Sequence, residues 1–376
     1  VSFCLYPGYP KLYMQFSHKP EFVYEPHWYN GIEYIKDMAR GEAFSEDLWV
    51  PGYFQIPIKK GESIIFSAGT EPAKPRSLST SFTKEANART PRTSFYNCLK
   101  NSAKQCYLKE GKKDYLLAGY PWFKILARDM FVALPGTTMA IDHREDFEKI
   151  MSTALDALMK YLDKGEVDKT IKDIDIPDIP LWATWTILQY YKFYGANDTI
   201  KNYGKELVSI INHILEGRVP NLYINEEGLL STNGTLKPVT WMDVEKQDGK
   251  PLLPRTGYIV EFNALWYNAL MFGITLFKEV EEKPKNYEKW QSTSATLKEA
   301  FLRTFLNDYG YLYDYVDGFY MDLSVRPNML IAAGCDFSPL DRVQRKRIID
   351  IVTRELLTPN GIRTLSPKSY GYNPFF

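Results

Sequence analysis

Beyond about residue 91, apolar residues recur along the chain with the period of an α-helix. The clearest case is Asp142–Lys164, where the apolar positions follow alternating steps of three and one, as on one buried helix face; they are Phe147, Ile150, Met151, Ala154, Leu155, Leu158, Met159 and Leu162. The same criterion predicts about nine helices, at residues 93–109, 124–134, 143–164, 179–194, 198–216, 258–280, 286–306, 325–334 and 339–357.

Signals for helix termini accompany this pattern. Asp142 with Glu145 is predicted to form a capping box at the start of the 143–164 helix, and Gly165 is predicted to end it. Ser338-Pro339 is predicted to open the last helix, because a capping residue followed by proline suits a first helical turn.

The pattern before residue 85 is typical of short β-strands. Aromatic-rich runs such as Val1–Tyr6 and Lys11–Phe16 are separated by Pro and Gly. Thr70–Thr90 is rich in Pro, Ser and Lys and is predicted to be a linker. We therefore expect residues 1–85 to hold part of an N-terminal β-sandwich domain with its linker, and residues 86–376 to form a mainly α domain.

One connection between the predicted helices is exceptionally long. Between Gly217 and Tyr258 lie roughly forty residues, and loops of this length in a compact domain are usually functional. They include a hairpin-like stretch, Leu222–Ser231, that turns at Asn225–Gly228. Because no strands alternate with the helices, a parallel α/β sheet is not expected, and an α/α toroid or a bundle is expected instead.

The charge balance and the aromatic content of the chain indicate which kinds of molecule it could bind. The chain of 376 residues has 46 Lys and Arg against 46 Asp and Glu, which gives no electrostatic reason to bind nucleic acid or an anionic membrane. No apolar run reaches the roughly 18 residues of a membrane span. Aromatic residues make up 15% of the chain, and such rings suit sugar faces as well as ordinary cores.

The cysteines and histidines argue against metal or redox chemistry. Cys4, Cys98, Cys106 and Cys335 are scattered, as expected for thiols in a reducing compartment, so a cytoplasmic location is predicted. The four His residues form no HxxxH or HxH pair. A metal site, a His-based triad and a cofactor are therefore not expected.

The long loop holds the first candidate for catalysis. In Thr240-Trp241-Met242-Asp243 a carboxyl group lies beside an indole ring, and a ring of low polarity favours the protonated form that a general acid for glycosyl transfer needs. The alternative is a loop aspartate that only accepts hydrogen bonds from backbone amides.

Two further clusters have both functional and structural interpretations. Trp122 precedes Arg128-Asp129 at the start of a predicted helix, where the charged pair could bind sugar hydroxyls or form a structural ion pair. Asp178 and Trp182 begin another helix, where Asp178 could be a cap and Trp182 a packing residue.

Taken in order, these segments resemble the catalytic domain of the glycogen-debranching amylo-α-1,6-glucosidases. The matching segments are AGYPWFKILARD (118–129), DIPLW (178–182), TWMD (240–243), PRTG (254–257), VEFNALWYNAL (260–270), SVRPN (324–328) and GIRTLSP (361–367). The segment Trp28–Gly52 resembles the β-sandwich domain that precedes this domain in bacterial members. The resemblance covers most of the chain and implies an (α/α)6 toroid and a role in glycogen catabolism.

The resemblance also implies site residues. The wider glucoamylase group hydrolyses with inversion, using two carboxylates set far enough apart to admit a water. The proton donor maps to Asp243, with Glu261 as the alternative catalytic carboxylate. A residue that binds glucose hydroxyls maps to Asp129. The other implied substrate-binding residues are Arg128, Trp122, Trp241, Asp178, Trp182 and Arg255.

This chain departs from the family pattern at two places. Members often have Trp-Gly-Arg-Asp where Leu126-Ala127-Arg128-Asp129 stands here, so one sugar-facing ring is expected to be missing or supplied elsewhere. Members also continue past the LSP motif with a YHQG-type segment and further helices. The chain is therefore expected to be incomplete at both ends, with the general base beyond Phe376.

Three functions remain in competition. The leading one is hydrolysis of α-1,6 branch points in glycogen or limit dextrin. A glucoamylase-like α-1,4-glucosidase would use the same chemistry, and a non-catalytic glycan-binding protein would keep the aromatic and hydroxyl-binding residues without a proton donor. The presence of both Asp129 and Asp243 favours an enzyme.

Overall fold

The computed structural model describes residues 1–4, 6–120, 123–246 and 248–374. It divides the chain into two compact units, the first comprising Val1–Asn101 and the second beginning at Ser102. Each unit has its own architecture and is described by itself.

Antiparallel strands build the first part of the first unit. One sheet has the order β1 (Ser2–Phe3), β2 (Leu12–Phe16) and β5 (Phe66–Gly69), and a long hairpin pairs β3 (Glu21–Glu33) with β4 (Ser45–Gln55). Rings join these two layers, with centroids 5.4 Å apart for Phe3 and Phe22 and 4.9 Å apart for Phe16 and Phe54. The predicted β-structure is confirmed in these strands, with the short helix α1 (Ile35–Arg40) between β3 and β4.

The segment predicted as a linker contains a helix. A single 3₁₀ turn, Pro75–Ser77, leads into α2 (Leu78–Ala88). Pro is accepted in a first helical turn because the amide that it lacks would have no partner there. Leu78 is the buried residue of α2, so the weak apolar stripe gave little signal of a helix. The next helix, α3, spans Phe95–Gln105.

Helices dominate the second unit, as predicted. They are α4 (Ala127–Thr137), α5 (Arg144–Lys164), α6 (Ile179–Leu215), α7 (Val260–Leu276), α8 (Tyr287–Phe305), α9 (Asn328–Gly334) and α10 (Arg342–Glu355). The break predicted between residues 194 and 198 is present inside α6, where Gly195 leaves the helical conformation with φ 80° and ψ −179°. Within the described ranges, no helix is both long enough and apolar enough to cross a membrane.

Two predicted helix starts are wrong, although the predicted end of α5 is confirmed. Asp142 has a left-handed backbone with φ 64°, so α5 begins after His143 and has no side-chain cap. Gly165 ends α5 in the left-handed conformation. The capping box of α10 is formed by Asp341 and Gln344, whereas the Ser338 hydroxyl donates to the carbonyl of Ala332.

Burial separates inner from outer helices. α7 is buried on nearly all sides, as expected for a helix in the centre of a helical domain. It packs against α6, α8 and α9. The outer helix α8 instead buries one stripe, which includes Trp290, Leu297 and Phe301. The predicted alternation of inner and outer helices is therefore present.

Short strands precede, separate and follow these helices in the chain, and the sequence predicted only one hairpin among them. The strands are β6 (Tyr107–Glu110), β7 (Lys113–Leu116), β8 (Tyr223–Ile224), β9 (Leu230–Thr232), β10 (Gly257–Ile259), β11 (Tyr315–Asp317), β12 (Tyr320–Met321), β13 (Leu357–Thr358) and β14 (Gly361–Ile362). Five of them form an antiparallel sheet with the order β12-β11-β10-β9-β8. Its β8–β9 hairpin confirms the predicted turn at Asn225–Gly228.

Gly257 is expected to be essential for this sheet. Its φ is 77°, and a Cβ atom there would overlap the carbonyl oxygen of Val316 on the neighbouring strand. We expect Gly257→Ala to lower the free energy of unfolding by at least about 2 kcal/mol, measured by urea titration. Gly318→Ala is the matched control, because Gly318 has φ 57° with open space around it. Equal losses in the two variants would show that the close approach of the strands has no cost.

Candidate active site

The start of α4 is held beside the turn that leads into α6. Leu126 and Lys172 form a parallel β-bridge, in which the Ala127 amide donates to the Lys172 carbonyl at 3.0 Å. This pairing places Arg128 and Asp129, the next two residues, near the acidic residues of the 173–178 turn.

Asp178 binds Arg128 through a bidentate contact along one edge of the guanidinium. Its Nε donates to Asp178 Oδ2 at 2.8 Å and its Nη2 donates to Oδ1 at 3.1 Å. Trp182 Nε1 donates to the same Oδ2 at 3.1 Å. Asp178 is the N-cap residue of α6 but makes no side-chain cap bond, so its buried carboxylate orients Arg128 and Trp182 instead of capping the helix.

The remaining nitrogen of the Arg128 guanidinium, Nη1, faces Asp243. Arg128 Nη1 lies 3.5 Å from Asp243 Oδ2, and the Asp243 side chain is 57% exposed. Burial lowers the pKa of Arg128, but the negative charges of Asp178 and Asp243 raise it by more, so the guanidinium remains charged. The buried carboxylate of Asp178 thus holds Arg128 beside the accessible carboxylate of Asp243.

Two more carboxylates, those of Asp129 and Asp173, are influenced by the charges of Arg128 and Asp243. Partial desolvation raises the pKa of Asp129, the charge of Arg128 lowers it, and the charges of Asp243 and Asp173 raise it further. Desolvation likewise raises the pKa of Asp173, against the charge of Arg128. Asp173 has a left-handed backbone with φ 62° and was not among the residues predicted from the sequence, although the spacing of acidic residues in Asp173–Asp178 offered a signal.

A second network lies around Arg255. Its Nη2 donates to Glu261 Oε2 at 2.7 Å, and its Nη1 donates to Oε1 of the same carboxylate. Its Nε donates to Asp314 Oδ2 at 2.9 Å. All three residues are 2% exposed. Glu261 is therefore held by an ion pair at the start of α7, and Asp314 is a site residue that sequence reasoning missed.

The segment Thr240–Asp243 connects the two networks. Thr240 Oγ1 accepts from Arg255 Nη1 at 3.3 Å, and Trp241 Nε1 donates to Asn328 Oδ1 at 2.8 Å. Asp243 then faces Arg128. Asn328, which the sequence placed in the SVRPN segment without a role, links to the Arg255 network because its Nδ2 donates to Asp314 Oδ1 at 2.7 Å.

The structure thus gathers most of the predicted site residues. One cluster contains Asp243, Arg128, Asp178 and Trp182. Asp129 lies close enough for the charge of Asp243 to raise its pKa. The residues joined through the Arg255 network are Trp241, Arg255 and Glu261. Trp122 lies outside the described residues. Among those described, no group of three or more His, Cys, Asp or Glu side chains could hold a metal ion.

Comparison with known proteins agrees with this architecture. Residues 96–376 match the family model described as amylo-alpha-1,6-glucosidase, and residues 1–65 match the one described as glycogen debranching enzyme N terminal. No curated protein matches the chain.

Solved structures match at low sequence identity. A neutral trehalase from Saccharomyces cerevisiae is 10% identical with a TM-score of 0.51, over 75% of this chain and 65% of the trehalase. The chain thus spans slightly less than two thirds of that protein. A rhamnosidase from Klebsiella oxytoca with rhamnose bound is 12% identical with a TM-score of 0.48. That match covers 91% of this chain and 69% of the rhamnosidase chain.

A helical unit of inner and outer helices, preceded by antiparallel strands, has the six-hairpin glycosidase type of fold, which the similarity to the trehalase supports. Its residues, together with the N-terminal strands, match glycogen-debranching models over nearly the whole chain. The chain therefore belongs to the amylo-alpha-1,6-glucosidase family of glycoside hydrolases.

Proposed function

We propose that this protein hydrolyses α-1,6-glucosidic branch points in glycogen or limit dextrin, with inversion at the anomeric carbon. The observation that carries the proposal is the accessible carboxyl group of Asp243, two residues after Trp241 in the chain and 3.5 Å from a guanidinium that buried Asp178 fixes in place. Membership of the amylo-alpha-1,6-glucosidase family supplies the substrate class.

In this proposal Asp243 is the general acid that protonates the departing glycosidic oxygen. Glu261 is the weaker alternative, because Arg255 binds both of its oxygens and the residue is buried. A carboxylate so engaged has no free oxygen to present to a substrate. We therefore assign Glu261 a structural role and leave the general base unassigned.

Arg128, Asp129 and Asp173 would bind sugar hydroxyls in the ground state. Arg128 can donate from the edge that faces Asp243, and the two aspartates are exposed acceptors. Trp182, whose indole is oriented by Asp178, and Trp241 would contact the sugar faces.

The direct test is glucose release by the intact protein from limit dextrin, with linear maltooligosaccharides as the comparison and excess EDTA present. We expect faster release from the branched substrate, undiminished by EDTA, with the β-anomer formed first. Faster action on the linear chains would favour the glucoamylase-like alternative. Binding of glycogen without glucose release would show a glycan-binding protein.

The pH dependence of substrate affinity should follow the protonation of the Asp129 carboxylate. Its pKa is raised above the ordinary 3.8, so the carboxylate that accepts sugar hydroxyls is lost at a higher pH than for an ordinary aspartate. We expect KM for limit dextrin to rise as pH falls through this raised pKa. Asp173→Asn should move that rise to lower pH, because the Asp173 charge contributes to the shift. A wild-type KM that does not rise at a higher pH than that of Asp173→Asn would contradict the role of Asp129.

A cytoplasmic location is also proposed. Burial raises the pKa of the Cys335 thiol to about 12, so this thiol stays protonated and inert. Scattered cysteines without a disulfide framework in the sequence are typical of proteins of a reducing compartment.

A further inference from the structure

We propose that Asn328, backed by Asp314, is a positioning residue for the proposed proton donor. It acts through Trp241 to hold the segment that carries Asp243. This inference rests on the proposed function of Asp243, but it concerns Asn328 and Asp314, to which neither the family comparison nor the proposed mechanism gives a role.

The amide of Asn328 has one orientation that fits its surroundings. Nδ2 faces the carboxylate of Asp314 at 2.7 Å, where only a donor can form a hydrogen bond. Oδ1 is therefore directed to the other side, where it accepts from Trp241 Nε1 at 2.8 Å. Asn328 is fully buried as the first residue of α9, so water does not compete for either bond.

Asp314 holds Asn328 in place because it is itself bound from several sides. Its carboxylate accepts from Arg255 Nε at 2.9 Å and from Nη2 at 3.1 Å. Its backbone amide donates to Asp322 and its carbonyl accepts from Val260, the first residue of α7. Bonds in several directions leave the side chain little freedom to move.

The constraint extends along the loop up to Asp243. Thr240 is bound through its hydroxyl to Arg255, and the Met242 amide donates to that same hydroxyl at 3.1 Å. Asn328 Nδ2 also lies 3.3 Å from Met242 Sδ. Three successive residues are thus anchored, whereas Asp243 itself is exposed and lies 3.5 Å from Arg128. The geometry of Asp243 therefore depends on the anchors before it.

A positioning role differs from a purely structural one in its kinetic signature. A misplaced general acid slows reactions that need leaving-group protonation, and it affects reactions with an acidic leaving group far less. A loss of folded protein lowers both reactions equally. Displacements of about 1 Å can cost on the order of a hundredfold in rate.

The experiment compares Asn328→Ala with Trp241→Phe, which keeps a ring but removes the indole donor. Asn268→Ala is the matched control, because Asn268 is another buried asparagine and its Oδ1 accepts from the Phe337 amide instead. Each variant of the intact protein is assayed on limit dextrin and on α-glucosyl fluoride. Hydrogen exchange of the 242–246 amides is measured in parallel and needs no activity.

We expect Asn328→Ala to lower kcat on limit dextrin by about tenfold to a hundredfold, with a small effect on the fluoride and faster exchange at 242–246. Trp241→Phe should show the same split, and it decides the matter if Asn328→Ala does not fold. Asn268→Ala should reduce both activities by one common factor and leave that exchange unchanged.

Equal losses on both substrates in Asn328→Ala and Trp241→Phe, with unchanged exchange at 242–246, would overturn the positioning role. If the wild-type protein released glucose from neither substrate, the proposed function would fail instead. Faster exchange in the variants would then still support the anchoring of the segment by Asn328.

Discussion

Asp243→Asn is expected to lower kcat on limit dextrin by about 10²–10⁴-fold, the contribution of a general acid. Asparagine keeps the shape of the side chain but has no proton to transfer to the glycosidic oxygen. KM should change little, because the proposed ground-state contacts through Arg128, Asp129 and Trp182 would persist. Initial rates and KM measured across a range of dextrin concentrations would check both statements.

Two controls make this result specific. Substrates with an acidic leaving group, such as α-glucosyl fluoride, need little protonation and should partly restore turnover by Asp243→Asn. Asp248→Asn removes another exposed aspartate of the same loop, which lies near Lys250, and should leave kcat unchanged. Near-wild-type hydrolysis of dextrin by Asp243→Asn would remove Asp243 from the mechanism and return Glu261 to consideration.

Arg255→Met is expected to have the largest effect on stability. The guanidinium lies between the carboxylates of Glu261 and Asp314, and all three residues are buried. Removing the cation leaves two buried carboxylates without an adequate partner, which costs about 3–5 kcal/mol. Urea titration of the intact variant at pH 7 should show this loss as a lower midpoint with a similar slope.

An exposed ion pair offers the comparison. Arg303 and Glu227 are paired in the same unit with side chains 61% and 51% exposed, and Arg303→Met should cost less than about 1 kcal/mol. Acidification should restore part of the stability of Arg255→Met, because the two carboxylates can then take up protons. A variant as stable as wild type at pH 7 would show that the buried network is dispensable.

Periodic and local features of the fold could be predicted from the sequence. The stripe from Phe147 to Leu162 reports burial on one side of a single helix, and every residue that defines it is close in the chain. The turn at Asn225–Gly228 is a local feature for the same reason. The cap at Asp142 was mispredicted because a left-handed backbone, which the motif does not reveal, turns that residue away from the helix start.

The candidate site was predictable only where its residues have chemistry that is recognisable alone. Asp243 and Arg128 could be named from motifs, whereas the bidentate contact between Arg128 and Asp178 depends on the pairing of Leu126 with Lys172. Asp314 was missed, and Asn328 was named only within the SVRPN segment without a role, because their partners, Arg255 and Trp241, lie far away in the sequence. Only the tertiary structure makes these polar residues a connected network.

The five-stranded sheet has a consequence for the order in which the molecule folds. Helices α7 and α8 lie within the chain that joins β10 to β11, so this pairing closes a long loop before its contacts give any stabilisation. The helices form through contacts near in sequence and need no such closure. The segment Thr240–Asp243 is held by Asn328, which lies beyond both helices in the chain, so its final contacts need a closure of similar length. During refolding, we therefore expect assembly of the site to lag behind the recovery of helical structure.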